Sequence, residues 1–268
     1  MLMEILFVGA LSGFVQGLSG FAFGLVATSL WAWMMKPQEV VVLVVLGSVI
    51  GQLTSFFSVR QHAEVRRVAP FLLGGVVGVP IGTTVLHALN APAFRAIVGL
   101  GLVAFCTVML AVRRLPLVRA GASADGLVGV VSGVMGGASG LAGPPMILWC
   151  AMRGWEIGAQ RATYQSFFIV IQGLILGFMI WKDAISPSLI ATFIWLAPVV
   201  VTSSWIGSRI ARNHDQKTFK RLVFWLLLGA GLALVIPAVY AVLPAFAYGR
   251  GFVSTAEPDQ LNPAMFQL

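Results

Sequence analysis

The stretch Ser12-Gly13-Phe14-Val15-Gln16-Gly17-Leu18-Ser19-Gly20-Phe21-Ala22 returns 120 residues later as Ser132-Gly133-Val134-Met135-Gly136-Gly137-Ala138-Ser139-Gly140-Leu141-Ala142, with six of 11 positions identical. Gly and Ser are frequent in membrane helices, so chance easily produces one short match of this kind. A sustained register is harder to produce. At the same offset Gln52 meets Gln172; after a five-residue slip Ile81-Gly82 meets Ile206-Gly207, Phe94-Arg95 meets Phe219-Lys220, and Val98 meets Val223. The repeat predicts two homologous halves, 1–115 and 122–243, followed by a C-terminal tail over 244–268, all within one integral membrane domain.

The composition around the repeat sets the solvent. Of 268 residues 59% are hydrophobic and only 10% charged, against about 25% charged in soluble domains. The charges interrupt eight apolar runs: 5–35, 40–59, 68–94, 96–112, 126–152, 162–181, 184–208 and 222–249. Each is about long enough to cross a ~30 Å hydrocarbon core as a helix, and none shows the ~10-residue alternation of a membrane barrel strand. The expected fold is an all-α polytopic membrane protein with about eight hydrophobic segments, multi-pass in a cell membrane. In this setting the net charge of +8 is not a nucleic-acid footprint. The N-terminus has Glu4 and no basic leader segment, so a cleaved signal peptide is not expected. Cys106 and Cys150 read as buried thiols. No metal spacing and no phosphate-binding Gly-Lys motif occurs, so no cofactor is expected.

The first run of each half is unusual. Run 5–35 is too long for one crossing, and run 126–152 is Gly-rich at its centre and carries Gly143-Pro144-Pro145. Gly weakens a helix and Pro removes a donor from it. Each run therefore reads as two half-helices around a break, broken or re-entrant. Backbone freed in this way cannot face lipid and must line protein or a polar cavity. Paired breaks at matching places in two halves point to a transporter's binding site.

The distribution of basic residues tests the path. If all eight runs cross once, Lys and Arg divide 8 against 9 between the two faces. If both broken runs return to the face they entered, they divide 13 against 4, leaving only Lys36, Arg95, Lys182 and Arg250 on the poorer face. The positive-inside rule favours the second path. Each half then makes an odd number of crossings, and the halves are inverted repeats.

Gly13-Phe14-Val15-Gln16-Gly17-Leu18-Ser19-Gly20-Phe21-Ala22-Phe23-Gly24 and its echo Gly133 to Gly140 resemble the glycine-rich signature of the TauE/SafE family of membrane permeases. The resemblance extends over about 240 residues through repeat pattern, run number and loop spacing. Where many members carry a Gly-Gly-Gly stretch followed by Pro in the first half, this chain has Phe21-Ala22-Phe23-Gly24. The resemblance implies transport of small sulfur-containing anions or organic acids, such as sulfite, sulfoacetate or related carboxylates and sulfonates.

An oxyanion inside a membrane needs hydrogen-bond donors, and half-helix N-termini supply free N–H groups and partial positive charge. The candidate substrate-binding residues are Gly17, Ser19, Gly20 and Gly24 at the first break and Gly137, Ser139 and Gly140 at the second. Gln52 and Gln172 join them from the middle of charge-free runs, and Arg161, Thr163, Tyr164 and Ser166 from the start of the sixth run. For the Gly and Ser positions the competing explanation is close helix packing; for Arg161 it is an ordinary loop cation. Gly74/Gly78/Gly82, Gly47/Gly51 and Gly173/Gly177 read as packing ridges, and Trp31, Trp33, Trp155 and Trp181 as interfacial anchors. His62 and His214 fall in basic loops and His87 ends the third run.

The expected partners are a small anion and the bilayer, with a homo-oligomer left open. An anion channel of the same fold is the alternative. Gly137-Ala138-Ser139-Gly140 also reads like a rhomboid-type serine protease motif, but the only His after it, His214, lies in a loop, where it cannot act as an intramembrane base.

Overall fold

The computed structural model describes residues 2–56, 60–111, 116–213 and 216–248. Arg113, Arg114, His214 and the 249–268 part of the expected tail lie outside these. Ten α-helices account for nearly all of it: α1 (Leu2–Ser19), α2 (Phe23–Trp31), α3 (Pro37–Phe56), α4 (Val65–Ala88), α5 (Ala91–Ala111), α6 (Ala122–Ser139), α7 (Gly143–Met152), α8 (Ile157–Trp181), α9 (Pro187–Asn213) and α10 (Gln216–Tyr248). The last continues past residue 243, where the tail was expected to begin. Five described helices (α1, α4, α5, α8 and α9 as far as Ile210) are long and apolar enough to cross a membrane. The protein is an all-α polytopic membrane protein.

Eight apolar runs give ten helices because two of them break. Each break falls at the repeated Ser-Gly. Gly20 (φ +85°) follows α1 and Gly140 (φ +75°) caps α6. Each donates its N–H four residues back, Gly20 to the Gln16 carbonyl and Gly140 to that of Gly136. This is the left-handed helix stop that glycine adopts without a Cβ penalty.

Both broken segments fold back. Trp149 Nε1, on α7, donates to Asp125 Oδ1 at the start of α6 (2.7 Å), and Arg153, the residue capping α7, pairs with Asp125 Oδ2 at 3.3 Å. Arg153 also donates to the Ala120 carbonyl, and the Val118 N–H donates to the Met152 carbonyl at 2.8 Å. The loops before α6 and after α7 are thus on one face of the molecule. In the first half the α2 indole of Trp31 lies 3.9 Å from where a Cβ on Gly9 of α1 would stand, so α2 likewise returns along α1.

Helices far apart in the chain pack on one another. α4 lies along α6 in parallel, with Gly74 over Gly126, Gly78 over Val130 and Gly82 over Val134. α1 lies along α9 in the same sense, with Gly13 over Val200 and Gly17 over Ser204. α5 and α10 run antiparallel, since Phe105 meets Phe224 while Gly99 meets Val235. At the centre α3 packs on both α8 and α9. Its Val40-Val41-Val42-Leu43-Val44-Val45 run is fully buried, because a helix apolar all round and enclosed on every side has no polar face to present. α4 shows the opposite pattern. It buries Val68, Phe71, Gly75, Val79 and Thr83 on one stripe, while Leu73, Val77 and Ile81 stay exposed to the lipid side.

Two expectations need correction. Gly173 and Gly177 are not a packing ridge within the chain, since a Cβ at either would meet nothing within 4 Å; their spacing fits a ridge, but α8 turns that face outward. Trp31 is not an interfacial anchor. It is fully buried against Phe23 (centroids 6.2 Å apart), because α2 turns this indole inward onto α1. Trp33 and Trp181 are exposed, as anchors would be.

Candidate functional site

The two breaks meet. A Cβ on Gly24, in the first turn of α2, would lie 3.4 Å from the Gly140 carbonyl oxygen and 3.6 Å from Leu141. Thr28 of α2 reaches the Ser139 carbonyl at 3.5 Å. Between the breaks lies a small cavity of about 20 Å³, room for about one water. Its walls are Phe21, Gly24 and Leu25 from the first break, Gly140 to Pro144 from the second, Ser48 and Gln52 from α3, and Phe168 and Gln172 from α8.

Four of the sequence candidates, Gly24, Gln52, Gly140 and Gln172, share this cavity. Gln52 and Gln172 stand on the two helices that cross at the centre. Each is nearly buried, and the side-chain oxygen of each has no hydrogen-bond partner. A buried polar atom left unpaired carries a desolvation cost of about 1–3 kcal/mol, so these two mark a place where a ligand or water is expected.

Ser19 and Ser139 sit at the breaks with their hydroxyl hydrogens already engaged. Each donates at 2.8 Å to a carbonyl one turn back, Val15 and Met135 respectively. Ser19 Oγ also accepts the N–H groups of Phe21 (3.3 Å) and Ala22 (3.1 Å). Neither serine therefore has a free hydroxyl hydrogen in this conformation. The first N–H groups of any helix lack an intrahelical partner, and Gly24 and Leu25 in the first turn of α2 and Gly143 at the start of α7 line the cavity. Pro144 and Pro145 contribute none.

The other candidates stand elsewhere. Gly17 packs against the Ser204 backbone and Gly137 against Val79 and Thr83. Gly20 faces the amide of Gln165, 3.9 Å from a would-be Cβ. Thr163 donates to the Ala159 carbonyl at 2.8 Å, and Tyr164 stacks near Phe168, centroids 5.6 Å apart, with Arg161 beside its hydroxyl. None of Arg161, Thr163, Tyr164 and Ser166 lines the cavity.

Two buried glutamines were missed. Gln16 Oε1 accepts the Phe23 N–H at 2.9 Å and so caps α2 from α1. Gln165 lies at the first break with its Oε1 unpaired. Their repeat positions hold Gly136 and Val45, so a search by repeat passes them over. Their signal was polarity inside an apolar run.

Two broken helices that bring their N-terminal ends to one interior cavity of a helical membrane protein form the kind of arrangement found at transporter binding sites. The chain belongs to the family described as Sulfite exporter TauE/SafE, whose profile matches residues 5–234. It is similar to the probable sulfite/organosulfonate exporter TauE of Cupriavidus necator, 25% identical over 250 residues that cover 90% of this chain and 97% of that one. No solved structure matches it. It is thus a multi-pass membrane transporter, not an enzyme, consistent with residence in a bacterial inner membrane.

Proposed function

We propose that this chain carries small sulfur-containing oxyanions, sulfonates or organic carboxylates across the membrane, holding each between the two helix breaks. One observation carries the reading. Two half-helix N-termini and two buried glutamines with unpaired Oε1 atoms, Gln52 and Gln172, converge on one cavity with no carboxylate among the described residues of its wall. The backbone donors of Gly24, Leu25 and Gly143 hold the oxyanion, and the side-chain amides of Gln52 and Gln172 stand beside it. Ser19, Gly20, Ser139 and Gly140 shape the turns that aim those donors. The curated relative's description as an exporter favours outward movement.

The two halves act as inverted repeats in this reading. The antiparallel run of α5 and α10, the last helix of each half, supports it. So does the meeting of the loops on either side of the second broken segment. The cavity is smaller than any such anion, so α2 and α7 must part for binding, and alternating access follows from one half moving against the other.

The test is flux in proteoliposomes loaded with sulfite, a sulfonate or a carboxylate. Gln52→Leu and Gln172→Leu are each expected to lower flux about tenfold, the equivalent of one lost hydrogen bond of about 1.4 kcal/mol, while the protein stays folded. Unchanged flux in both variants sinks the site.

A further inference from the structure

We propose that α2 is the moving gate of the site and that Arg95 is the positioning residue that latches it shut. The inference rests on the reading above, in which α2 and α7 part to admit a ligand. It adds which of the two moves and what holds it.

The mouths of the two hairpins lie on opposite faces. At one end of α4, Gln38 Nε2 of α3 donates to the Leu86 carbonyl at 3.4 Å, shortly after α2 has ended. At the other end the Arg67 guanidinium lies 5.7 Å from the Trp155 ring centre, just past α7. Leu86 and Arg67 are 19 residues apart on one helix. That is about 28 Å at 1.5 Å per residue, close to the ~30 Å of a hydrocarbon core. Opening one mouth therefore connects the cavity to one face only.

The two short helices are held differently. α7 is fastened to its own hairpin. Arg153 at its end reaches Asp125 on α6 and the Ala120 carbonyl, Trp149 reaches the same carboxylate, and the Val118 N–H donates to the Met152 carbonyl. α6 in turn is seated on α4 through glycines against backbone.

At the mouth of α2 the Trp31 indole packs toward Gly9 of α1 with its Nε1 unpaired. A polar tie arrives there from outside the hairpin. Arg95 Nε, on α5, donates to the carbonyl of Ala32, the cap of α2, at 3.2 Å. Carbonyls at a helix end lack intrahelical partners and carry partial negative charge, so an arginine suits the place. The same guanidinium lies 4.8 Å over the Trp33 ring, a cation–π contact. One side chain thus grips the cap and the residue after it. The repeat sets the contrast at a single position. Trp33 corresponds to Arg153: the first receives an arginine from another helix, the second is an arginine turned to its own hairpin.

There is also room to move. An open recess of about 530 Å³ lies beside the end of α2, lined by Trp33, Lys36, Gln38, Leu89 and Asn90 among others. α2 is nine residues long. Once Arg95 lets go, its far end can tilt into that space about its head, where Gln16 holds the Phe23 N–H.

The test is sided labelling of the full-length chain in oriented proteoliposomes. Ser48→Cys puts a near-isosteric thiol in the cavity wall. Cys106 and Cys150 are buried, and the chain without Ser48→Cys measures their background. A membrane-impermeant maleimide is added to one face at a time. Arg95→Ala is expected to speed labelling of Cys at position 48 about tenfold from the α2 face and not from the α7 face. Trp33→Ala is expected to act the same way, more weakly. Arg153→Ala is expected to change labelling from either face less than about twofold, because the Trp149 and Met152 ties remain. Only variants with a cooperative unfolding transition in detergent are compared, and if Arg95→Ala lacks one, Trp33→Ala decides by the same criterion.

Labelling that rises from both faces, that does not rise, or that rises as much in Arg153→Ala overturns the gate. A general loosening of the fold would act on both faces, so one-sidedness separates a latch from a merely structural contact. One-sided labelling together with unchanged flux in Gln52→Leu and Gln172→Leu leaves the gate standing and removes the anion site.

Discussion

Gln16 on α1 holds the head of α2, its Oε1 accepting the Phe23 N–H at 2.9 Å across the break at Gly20. The bond ties the two parts of the first hairpin together at the point where the helix ladder is interrupted. Gln16 is fully buried, so Gln16→Leu leaves the Phe23 N–H buried without an acceptor. The expected loss is about 1–3 kcal/mol of stability, read as a lowered unfolding temperature in detergent. An unchanged transition would show that the break does not need this cap.

The two glycine stops are alike in backbone and unlike in surroundings. A Cβ at Gly20 would meet nothing closer than 3.9 Å, whereas one at Gly140 would stand 2.8 Å from Val44 Cγ1. Gly20→Ala is expected to cost only the left-handed strain of about 1–2 kcal/mol. Gly140→Ala adds a collision with the central helix and is expected to cost more and to abolish flux. Equal effects of the two substitutions, measured by unfolding and by transport, would contradict the close approach of α6 to α3.

The Asp125–Arg153 pair closes the second hairpin at its face-side end. Both side chains are largely shielded, 7% and 15% exposed. Asp125→Ala leaves Arg153 without its partner and Trp149 without its acceptor. Removing one member of a shielded pair is expected to cost about 3 kcal/mol. Arg153→Ala combined with Asp125→Ala should recover part of this, and a double-mutant cycle measures how much.

Glycine positions provide a contrast of packing alone. A Cβ on Gly78 would collide with the Val130 carbonyl and lie 2.9 Å from the Val134 nitrogen, both backbone, while one on Gly177 would meet nothing. Gly78→Leu is expected to prevent accumulation of folded protein by forcing α4 off α6. Gly177→Leu is expected to leave both yield and flux unchanged. Gel-filtration profiles of the two variants decide it.

The breaks were legible because the residues that make them are unusual in a membrane helix. Ser19-Gly20, Ser139-Gly140 and the Pro144-Pro145 pair mark the stops directly, and the repeat pairs them. Gln52 and Gln172 were legible for the same reason. The start of the sixth run misled for a physical reason. The charge-free stretch begins at residue 162, but α8 begins at Ile157, so Arg161, Thr163 and Tyr164 lie within the helix, ahead of the turns that reach the cavity. Asp125 stayed hidden because it sits one residue before an apolar run and looks like a loop charge. Only the return of α7, which brings Trp149 and Arg153 against it, makes it a buried one.

The pairing of α1 with α9 and of α4 with α6 has a consequence for synthesis. α1 leaves the ribosome almost 200 residues before the helix that covers its Gly13 and Gly17 face, and the α3 valines wait for α8 and α9 as well. Until α9 is made, the Gly13 and Gly17 face of α1 is without the helix that covers it in the finished fold. Final assembly joins contacts far apart in the chain, and such non-local pairing is in general slow. The two halves produced as separate chains should each be incomplete and should recover a stable, active protein only when made together.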